Sequence, residues 1–397
     1  MLTSLAFLFL LGLLLGYFFR KINLPSLLGM LIAGILLGPY GFDLLDDSLL
    51  SISPDLRKLA LVIILTRAGL ALDLKDLKKV GRPAILMSFV PACFEIAGIT
   101  LLAPLFLKIS YLEAALMGTV VAAVSPAVIV PKMLILMEKG FGKRKGIPQL
   151  IMAAGAVDDV FVIVLFTAFT GLLSGGKVEA SDFFQIPLSI ITGLGIGILT
   201  GWILSVYFKK FRLRDSVKVI ILLSISFLLM ALEAGLDGIV PVSGLLAVMS
   251  VSGTLYQTYP VLAKRLSSKF SKLWVGAEIF LFVLVGATVD IKYALIAGIA
   301  AVIVILLALL VRTSGVFLCL VKTPLNMKER LFCAFAYMPK ATVQAAIGGI
   351  PLALGLPCGN IVLTVAVLAI LITAPLGAFA IDVSYPKLLE QDEEKQS

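Results

Sequence analysis

Two adjacent aspartates, Asp158 and Asp159, lie in the middle of the apolar run 147–169, which contains no lysine, arginine or histidine. A carboxylate in the centre of a membrane span is energetically costly, and such residues most often mark a pathway for ions or protons. Because successive residues of a helix project about 100° apart, the two carboxylates cannot share one orientation. One of them can face an aqueous cavity while the other faces a neighbouring helix.

The chemistry open to these carboxylates is the exchange of a proton for a cation. Carboxylate, carbonyl and hydroxyl oxygens suit hard cations such as Na⁺, and the backbone around Ser125 could supply some of these oxygens. When a proton and a cation compete for the same oxygens, exchange needs no further machinery. The alternative is a buried ion pair that only holds helices together.

Composition assigns the chain to the membrane. Its 397 residues are 60% hydrophobic and only 14% charged, with a mean hydropathy of +1.10. Apolar stretches of about 20 residues, each long enough to span a bilayer, recur from end to end. We therefore expect an all-α polytopic membrane protein in which 1–387 form a single membrane domain and 388–397 a short cytoplasmic tail. The N-terminal run 2–19 is interpreted as a retained first span rather than a signal peptide.

The same residues argue against several classes of function. The net charge of +9 comes from basic residues in short loops between spans, which argues against nucleic acid as a partner. The four cysteines show neither zinc-binding nor disulfide spacing. The absence of histidine excludes metal or haem ligation by imidazole and histidine-based catalysis. We expect no resident cofactor and no enzymatic activity.

The distribution of basic residues orients thirteen predicted spans. With the N-terminus outside and the C-terminus in the cytoplasm, 24 basic residues fall on the cytoplasmic side and five outside, in keeping with the positive-inside rule. A bacterial or archaeal inner membrane is the expected location. The predicted spans are 3–19, 24–40, 57–72, 83–107, 111–137, 148–174, 184–208, 217–233, 239–256, 273–290, 293–321, 330–355 and 359–381.

Two of these spans carry prolines beside polar residues. The fifth contains Ser125-Pro126 and Pro131, and the twelfth contains Pro339. Proline removes a backbone donor and clashes with the preceding turn, and non-helical backbone at membrane depth persists only where protein or a wet cavity surrounds it. Spans seven apart run in opposite directions, which predicts a five-span unit (spans two to six) repeated upside down as spans nine to thirteen. Paired interrupted helices of this kind indicate a transporter's binding site, although prolines can also merely kink a helix.

Lys340 is the second key charge, because it directly follows Pro339 inside the broken twelfth span and precedes Thr342 and Gln344. A buried lysine loses its proton more readily than an exposed one. Lys340 could therefore pair with an aspartate or carry a proton itself. The alternative is a lysine that extends to the membrane surface.

Three segments together resemble a known family. They are Ala156-Val-Asp-Asp-Val160 in span six, the Ser125-Pro126 break in span five and Pro339-Lys-Ala-Thr-Val-Gln-Ala345 in span twelve. The combination resembles the monovalent cation/proton antiporter superfamily, in particular its electrogenic two-aspartate branch. Within that branch the chain is most similar to bacterial NapA-like proteins and animal NHA-type sodium/proton exchangers, and the likeness covers nearly the whole chain.

The resemblance implies specific roles for these residues. Asp159 would be the carboxylate that binds the transported Na⁺ (or Li⁺) and the proton. Asp158 would also face the cation, pairing with Lys340 in one state and releasing it in another. Ser125 and Thr342 would help to coordinate the cation.

The resemblance also implies an architecture of two crossed discontinuous helices, as in NhaA-like antiporters, and a homodimer that works as an elevator. Glu95 in span four and Arg312 in span eleven look like the family's structural ion pair. Arg67, Glu233 and Glu278 receive no role. The expected moving core comprises about 57–174 and 273–355, and the stationary dimerisation part comprises about 1–40 and 184–256.

Other functions must be weighed against the same residues. A K⁺/H⁺ antiporter of the same fold would use the same carboxylates. An intramembrane aspartyl protease also uses two aspartates, but on separate helices that face each other, which adjacency prevents. A passive channel would need a repeated filter loop, and a primary pump would need a GxxxxGK[ST] phosphate loop; neither occurs in the sequence.

Overall fold

The chain folds into helices joined by short connections. The computed structural model describes residues 1–22, 24–71, 81–174, 182–236 and 242–391, and these contain eighteen helices and a single isolated β-bridge between Phe141 and Gln391. The helices are α1 Leu2–Lys21, α2 Ser26–Leu37, α3 Asp47–Ser51, α4 Ser53–Ala71, α5 Arg82–Met87, α6 Val90–Leu107, α7 Tyr111–Ala122, α8 Pro126–Glu138, α9 Ile147–Ser174, α10 Asp182–Lys210, α11 Asp215–Gly235, α12 Gly244–Thr258, α13 Pro260–Ala287, α14 Ile291–Cys319, α15 Met327–Ala336, α16 Thr342–Ile347, α17 Ile350–Ala353 and α18 Gly359–Leu388.

Local sequence explains where the two interrupted spans begin. Ser110 caps α7, and its hydroxyl and backbone N–H both pair with Glu113 in a capping box. Asn326 caps α15 in the same way with Glu329. These reciprocal bonds satisfy backbone donors that no helix can satisfy internally, so both spans start at fixed positions.

Nine helical segments among the described residues are long and apolar enough to cross a membrane. The chain is therefore a multi-pass integral membrane protein. Helices occupy all thirteen predicted span positions, but those at the second, third, ninth and twelfth positions are not among the nine, and the second and twelfth are short apolar helices. The count of thirteen spans and the inverted repeat stay predictions.

The structure confirms the two predicted interruptions. The fifth span is divided into α7 and α8 by the non-helical residues Ala123–Ser125. The twelfth span is divided after α15, and α16 begins only at Thr342. The first interruption is shorter than the prolines suggested, because Pro131 lies inside α8 without ending it.

The chain divides into two compact units, which are described separately. The first comprises Met1–Leu50, Leu74–Val162 and Phe282–Ser397, and the second comprises Ser51–Asp73 and Ile163–Leu281. These units are defined by how the residues pack. The expected core and dimerisation parts are defined by motion, so the division into a moving and a stationary part stays a prediction.

The first unit contains both interruptions and a large apolar core around Ile147, Val316 and Phe332. Its α2 approaches α13 so closely that a Cβ on Gly34 would lie 2.0 Å from the carbonyl oxygen of Val283. In the second unit α10 packs on α12 through glycines four residues apart, a pattern that lets membrane helices approach closely. These glycines are Gly193, Gly197 and Gly201.

Parts of the predicted loops lie outside the described residues. They include the cytoplasmic lysines Lys75, Lys78 and Lys79, the outside lysine Lys177, the start of the ninth predicted span at 239–241 and the last six residues of the tail, 392–397.

Candidate functional site

The two interrupted spans meet at their non-helical segments. The backbone N–H of Ser125 donates to the carbonyl of Pro339 over 2.9 Å. From α16, Gln344 Nε2 donates to the carbonyls of Val121 (3.0 Å) and Ala123 (2.8 Å). The two breaks are therefore joined by direct hydrogen bonds.

The ends of α7 and α15 carry carbonyls that no helix can satisfy and that bear partial negative charge. Two cations supply the missing donors. Arg312 donates through Nε to the carbonyl of Tyr337 (2.9 Å) and through Nη1 to that of Ala122. Lys340 Nζ also donates to the Ala122 carbonyl, over 3.1 Å. Positive charge thus lies where two negative helix ends converge.

A buried glutamate binds both cations. Glu95 Oε2 accepts from Arg312 Nη1 (2.7 Å) and from Lys340 Nζ (2.5 Å), and all three side chains are at most 2% exposed. The second guanidinium nitrogen, Arg312 Nη2, lies 3.4 Å from Asp158 Oδ2. Two cations and two carboxylates, Glu95 and Asp158, therefore form one buried network of balanced charge.

Asp158 is fixed by backbone as well as by charge. Its Oδ2 accepts the N–H of Val124, in the break between α7 and α8, over 2.8 Å. The carboxylate is completely buried. A hydrogen bond from a backbone N–H favours the ionised carboxylate, so the interrupted span helps to hold this charge.

Asp159 differs from its neighbour. Its side chain is 8% exposed, compared with 0% for Asp158. Among the residues that the structure describes, Asp159 makes no ion pair and its Oδ1 has no hydrogen-bond partner. It is the carboxylate at this site whose charge lacks a direct protein partner.

Ser125 and Thr342 lie on the two interruptions, as the sequence predicted. Ser125 is fully buried, and its Oγ has no partner among the described residues. Thr342 is the first residue of α16 and is 3% exposed. Within the described part of the chain no hydrogen bond joins either hydroxyl to Asp159, so their role as cation ligands stays a prediction.

The ion pairs at this site join four buried charges. Arg312 contacts Glu95 and lies beside Asp158, and Lys340 is paired with Glu95. The expected pairing of Asp158 with Lys340 in one state, and its release in another, stays a prediction. The shape of the two basic side chains explains why Arg312 contacts both carboxylates. The planar guanidinium presents several donors in a fork and reaches two carboxylates at once, whereas an ammonium group acts as a point charge.

Sequence reasoning missed two contributors to the site. Thr373 in α18 accepts the backbone N–H of Lys340 through Oγ1 over 2.9 Å. Tyr337 lies under the guanidinium of Arg312, with 5.4 Å from Cζ to the ring centroid. Tyr337 lies two residues before the conspicuous 339–345 segment, so its position carried a signal, whereas nothing distinguishes Thr373 from other threonines in apolar helices.

The described residues contain no group of three or more His, Cys, Asp or Glu side chains that could hold a metal ion.

The fold is the one seen in solved structures of a sodium proton antiporter. A solved structure of the sodium proton antiporter MjNhaP1 from Methanocaldococcus jannaschii superposes with a TM-score of 0.83 at 21% identity, covering 97% of both chains. A second structure of the same antiporter gives 0.76 at 21% identity, over 98% of both chains.

Sequence relatives place the chain in a family. Residues 5–382 match the family described as "Sodium/hydrogen exchanger, transmembrane". Sodium/hydrogen exchanger 9B2 of Mus musculus is 33% identical over 94% of this chain and 70% of its own length. For Sodium/hydrogen exchanger 9B2 of Homo sapiens the values are 34%, 93% and 71%, and for human Sodium/hydrogen exchanger 9B1 they are 34%, 92% and 73%. The chain belongs to the sodium/hydrogen exchanger family.

Proposed function

We propose that this protein exchanges Na⁺ or Li⁺ for H⁺ across its membrane, and that Asp159 holds the proton and the cation in turn. The observation that carries the proposal is the contrast between the two aspartates. Asp158 has Arg312 and a backbone N–H as partners, whereas Asp159 is buried with no ion pair among the described residues.

A buried carboxylate without a counter-charge is unstable as an anion. It becomes neutral by taking a proton or by binding a cation, and the two events exclude each other. The other charges of this buried network, Glu95, Asp158, Arg312 and Lys340, already balance. One H⁺ or one Na⁺ on Asp159 therefore makes the site electrically neutral. A site that binds either ion but not both is what exchange requires.

Electrogenic transport requires a second proton for each cation. Asp158 and Lys340 are the candidates to carry it, because both lie in the same buried network as Arg312 and Glu95. A change in protonation of either would redistribute the ion pairs there. Exchange of two protons for one Na⁺ would then move one net charge per cycle.

The proposal includes the expected elevator motion of a homodimer with its N-terminus outside and C-terminus in the cytoplasm. Support for motion of the crossed segments as one body comes from their direct hydrogen bonds, which join α7, α8 and α16. The expected bacterial or archaeal inner membrane stays a prediction, since the relatives named above are animal proteins.

The test is a pH-sensitive dye assay on purified protein in proteoliposomes, with Na⁺, Li⁺ and K⁺ added in turn. Asp159→Asn should abolish cation-driven proton movement. The matched control is Asp215→Asn, which removes a carboxylate that pairs with the exposed Arg265 over 3.1 Å, and it should behave as wild type. Full Na⁺-driven exchange by Asp159→Asn would overturn the mechanism.

Further measurements with the same assay test the choice of cation, the electrogenic transport and the role of Asp158. A response to K⁺ alone would replace Na⁺/H⁺ exchange by K⁺/H⁺ exchange on the same carboxylates. Rates that do not change when the membrane voltage is clamped would contradict electrogenic transport. Asp158→Asn should leave partial and altered activity, because Asp159 remains.

A further inference from the structure

Three successive carbonyls at the end of α7 accept hydrogen bonds from side chains in distant parts of the chain. The carbonyls of Val121, in the last turn, and Ala123, in the break, accept from Gln344, and the carbonyl of Ala122 accepts from the two buried cations. A buried carbonyl left without a donor is energetically costly. Gln344 therefore helps to orient this helix end and the segment after it.

One peptide group links Gln344 to Asp158. The carbonyl of Ala123 accepts from Gln344 Nε2 over 2.8 Å. The N–H of the same peptide belongs to Val124 and donates to Asp158 Oδ2, also over 2.8 Å. A peptide group is planar, and its C=O and N–H point in opposite directions when it is trans. Any rotation of this plane would weaken both bonds together.

Hydrogen bonds arranged in such a chain polarise one another. The Gln344 amide draws electron density towards the Ala123 oxygen, which makes the Val124 N–H a stronger donor to Asp158. Donors of this kind favour the charged form of a carboxylate. Gln344 can therefore stabilise a negative Asp158 without adding a charge of its own.

The glutamine side chain fits this position for chemical reasons. Its Nε2 carries two hydrogens, and both carbonyl contacts use that nitrogen. Gln344 is 1% exposed, and its Oε1 has no partner among the described residues. A glutamate would turn acceptors towards acceptors, a methionine would offer no donor, and a lysine would bring a third cation to the network.

We propose that Gln344 is a positioning residue for exchange. It holds Asp158 in place through the Ala123–Val124 peptide and stabilises the charged form of that carboxylate, without binding the transported ion itself. The inference deepens the proposed function and rests on it. It assigns the carbonyls of Val121 and Ala123 to a glutamine side chain.

Other charged and titratable groups act on Asp158 from the surrounding helices. They are left in place by a substitution at Gln344, so a change in pH dependence would report the loss of the amide. These groups are Arg312, Lys340, Glu95, Asp159, Tyr337 and Cys93.

The decisive variant is Gln344→Met, which keeps the length of the side chain and removes both donors. The pH at half-maximal Na⁺-driven exchange in proteoliposomes should move towards alkaline by less than about one unit. Complete loss of a hydrogen bond to a charged group corresponds to roughly a tenfold change in equilibrium, and here the bond from Val124 N–H to Asp158 is weakened but not removed. Gln391→Met is the matched control, since Gln391 donates to the carbonyl of Lys139 at an exposed site. It should keep the wild-type profile.

Gln344→Glu should change the pH dependence of exchange in the opposite direction. Only its protonated form can donate to Ala123, and its charged form would repel Asp158. Activity should therefore fall as the pH rises, in contrast to Gln344→Met. A residue that served only to hold the helices together would lower the rate in both variants and leave the pH midpoint unchanged.

The outcomes separate this inference from the proposed function. If wild type and Gln391→Met show no Na⁺-driven exchange, the proposed function fails. If they exchange and Gln344→Met has their pH midpoint, Gln344 does not act on Asp158 and the inference is overturned. Should Gln344→Met not be recovered folded, Gln344→Asn takes its place. Its shorter amide cannot reach both carbonyls, and the same midpoint shift decides the result.

Discussion

The glutamate shared by the two buried cations makes a quantitative prediction. Glu95 accepts from Arg312 Nη1 and Lys340 Nζ through a single oxygen, Oε2, and is 1% exposed. Glu95→Gln keeps the size of the side chain and removes its charge. Two buried cations would then face a single carboxylate, Asp158.

The free-energy cost of Glu95→Gln depends on which hydrogen-bond acceptors each cation retains. Arg312 retains the Tyr337 carbonyl at 2.9 Å and Asp158 at 3.4 Å. Among the residues that the structure describes, Lys340 Nζ retains only the Ala122 carbonyl at 3.1 Å, so most of the loss falls on the lysine. Breaking a buried pair by removing one partner costs about 3–5 kcal/mol. Since the glutamine oxygen can still accept one hydrogen bond, we expect a loss of about 3 kcal/mol in the free energy of unfolding.

Equilibrium unfolding in mixed detergent–SDS micelles measures this loss, and a double-mutant cycle assigns it. Lys340→Met alone removes one cation and leaves Glu95 paired with Arg312. The double variant Glu95→Gln/Lys340→Met removes both the charge and the cation that depended on it. It should be more stable than the sum of the single losses predicts, by about 2 kcal/mol, within the range seen for residues in direct contact.

Two results would refute this reasoning. A loss below about 1 kcal/mol for Glu95→Gln would fall in the range of exposed ion pairs and show that the pairs are not desolvated. Strict additivity in the cycle would show that Lys340 does not depend on Glu95.

Two other predictions concern stability outside this buried charge network. The hydrogen bond to the Glu329 carboxylate raises the pKa of Lys145 from its usual value. Because the pKa is higher in the folded than in the unfolded protein, this bond should stabilise the fold fully below about pH 10. The stabilisation should disappear in more alkaline solution. Unfolding curves of wild type and Lys145→Met should therefore differ equally from pH 6 to pH 9 and converge above that range, and divergence there would contradict the assignment. Gly34→Ala places a Cβ 2.0 Å from the Val283 carbonyl oxygen and should destabilise by about 1–3 kcal/mol. Gly276→Ala, where a Cβ meets nothing within 4 Å, should be neutral or stabilising, and equal effects of the two substitutions would disprove the close contact.

Local chemistry made the elements of this fold predictable. Prolines 126 and 339 marked the two interruptions, because a missing donor and a steric clash act within one turn of the chain. The length of each apolar run predicted where the helices lie, because it too is a property of one short stretch of the chain. Pro131 was less informative, since it lies inside α8 at a place where the surrounding helix persists despite the lost hydrogen bond.

The partners of the buried charges were harder to predict. Glu95 and Lys340 are 245 positions apart in the sequence, and Glu95 and Arg312 are 217 apart. Helical periodicity gives the direction of a side chain but not its distance from a group on another helix. The sequence therefore indicated which charges had to be neutralised, while the choice of Glu95 over Asp158 as the partner of Lys340 depended on how the helices pack.

The long separation between partners also constrains biogenesis. Donors to the carbonyls of Val121, Ala122 and Ala123 arise 190 to 223 positions later in the chain. At about 5–20 residues per second, a ribosome needs roughly 10–45 s to produce them. Throughout that interval the newly inserted α7 has an unfinished end inside the bilayer. Nascent chains arrested before Gln344 should accordingly be the ones that membrane quality-control proteases recognise, and their half-life should rise once translation passes that codon.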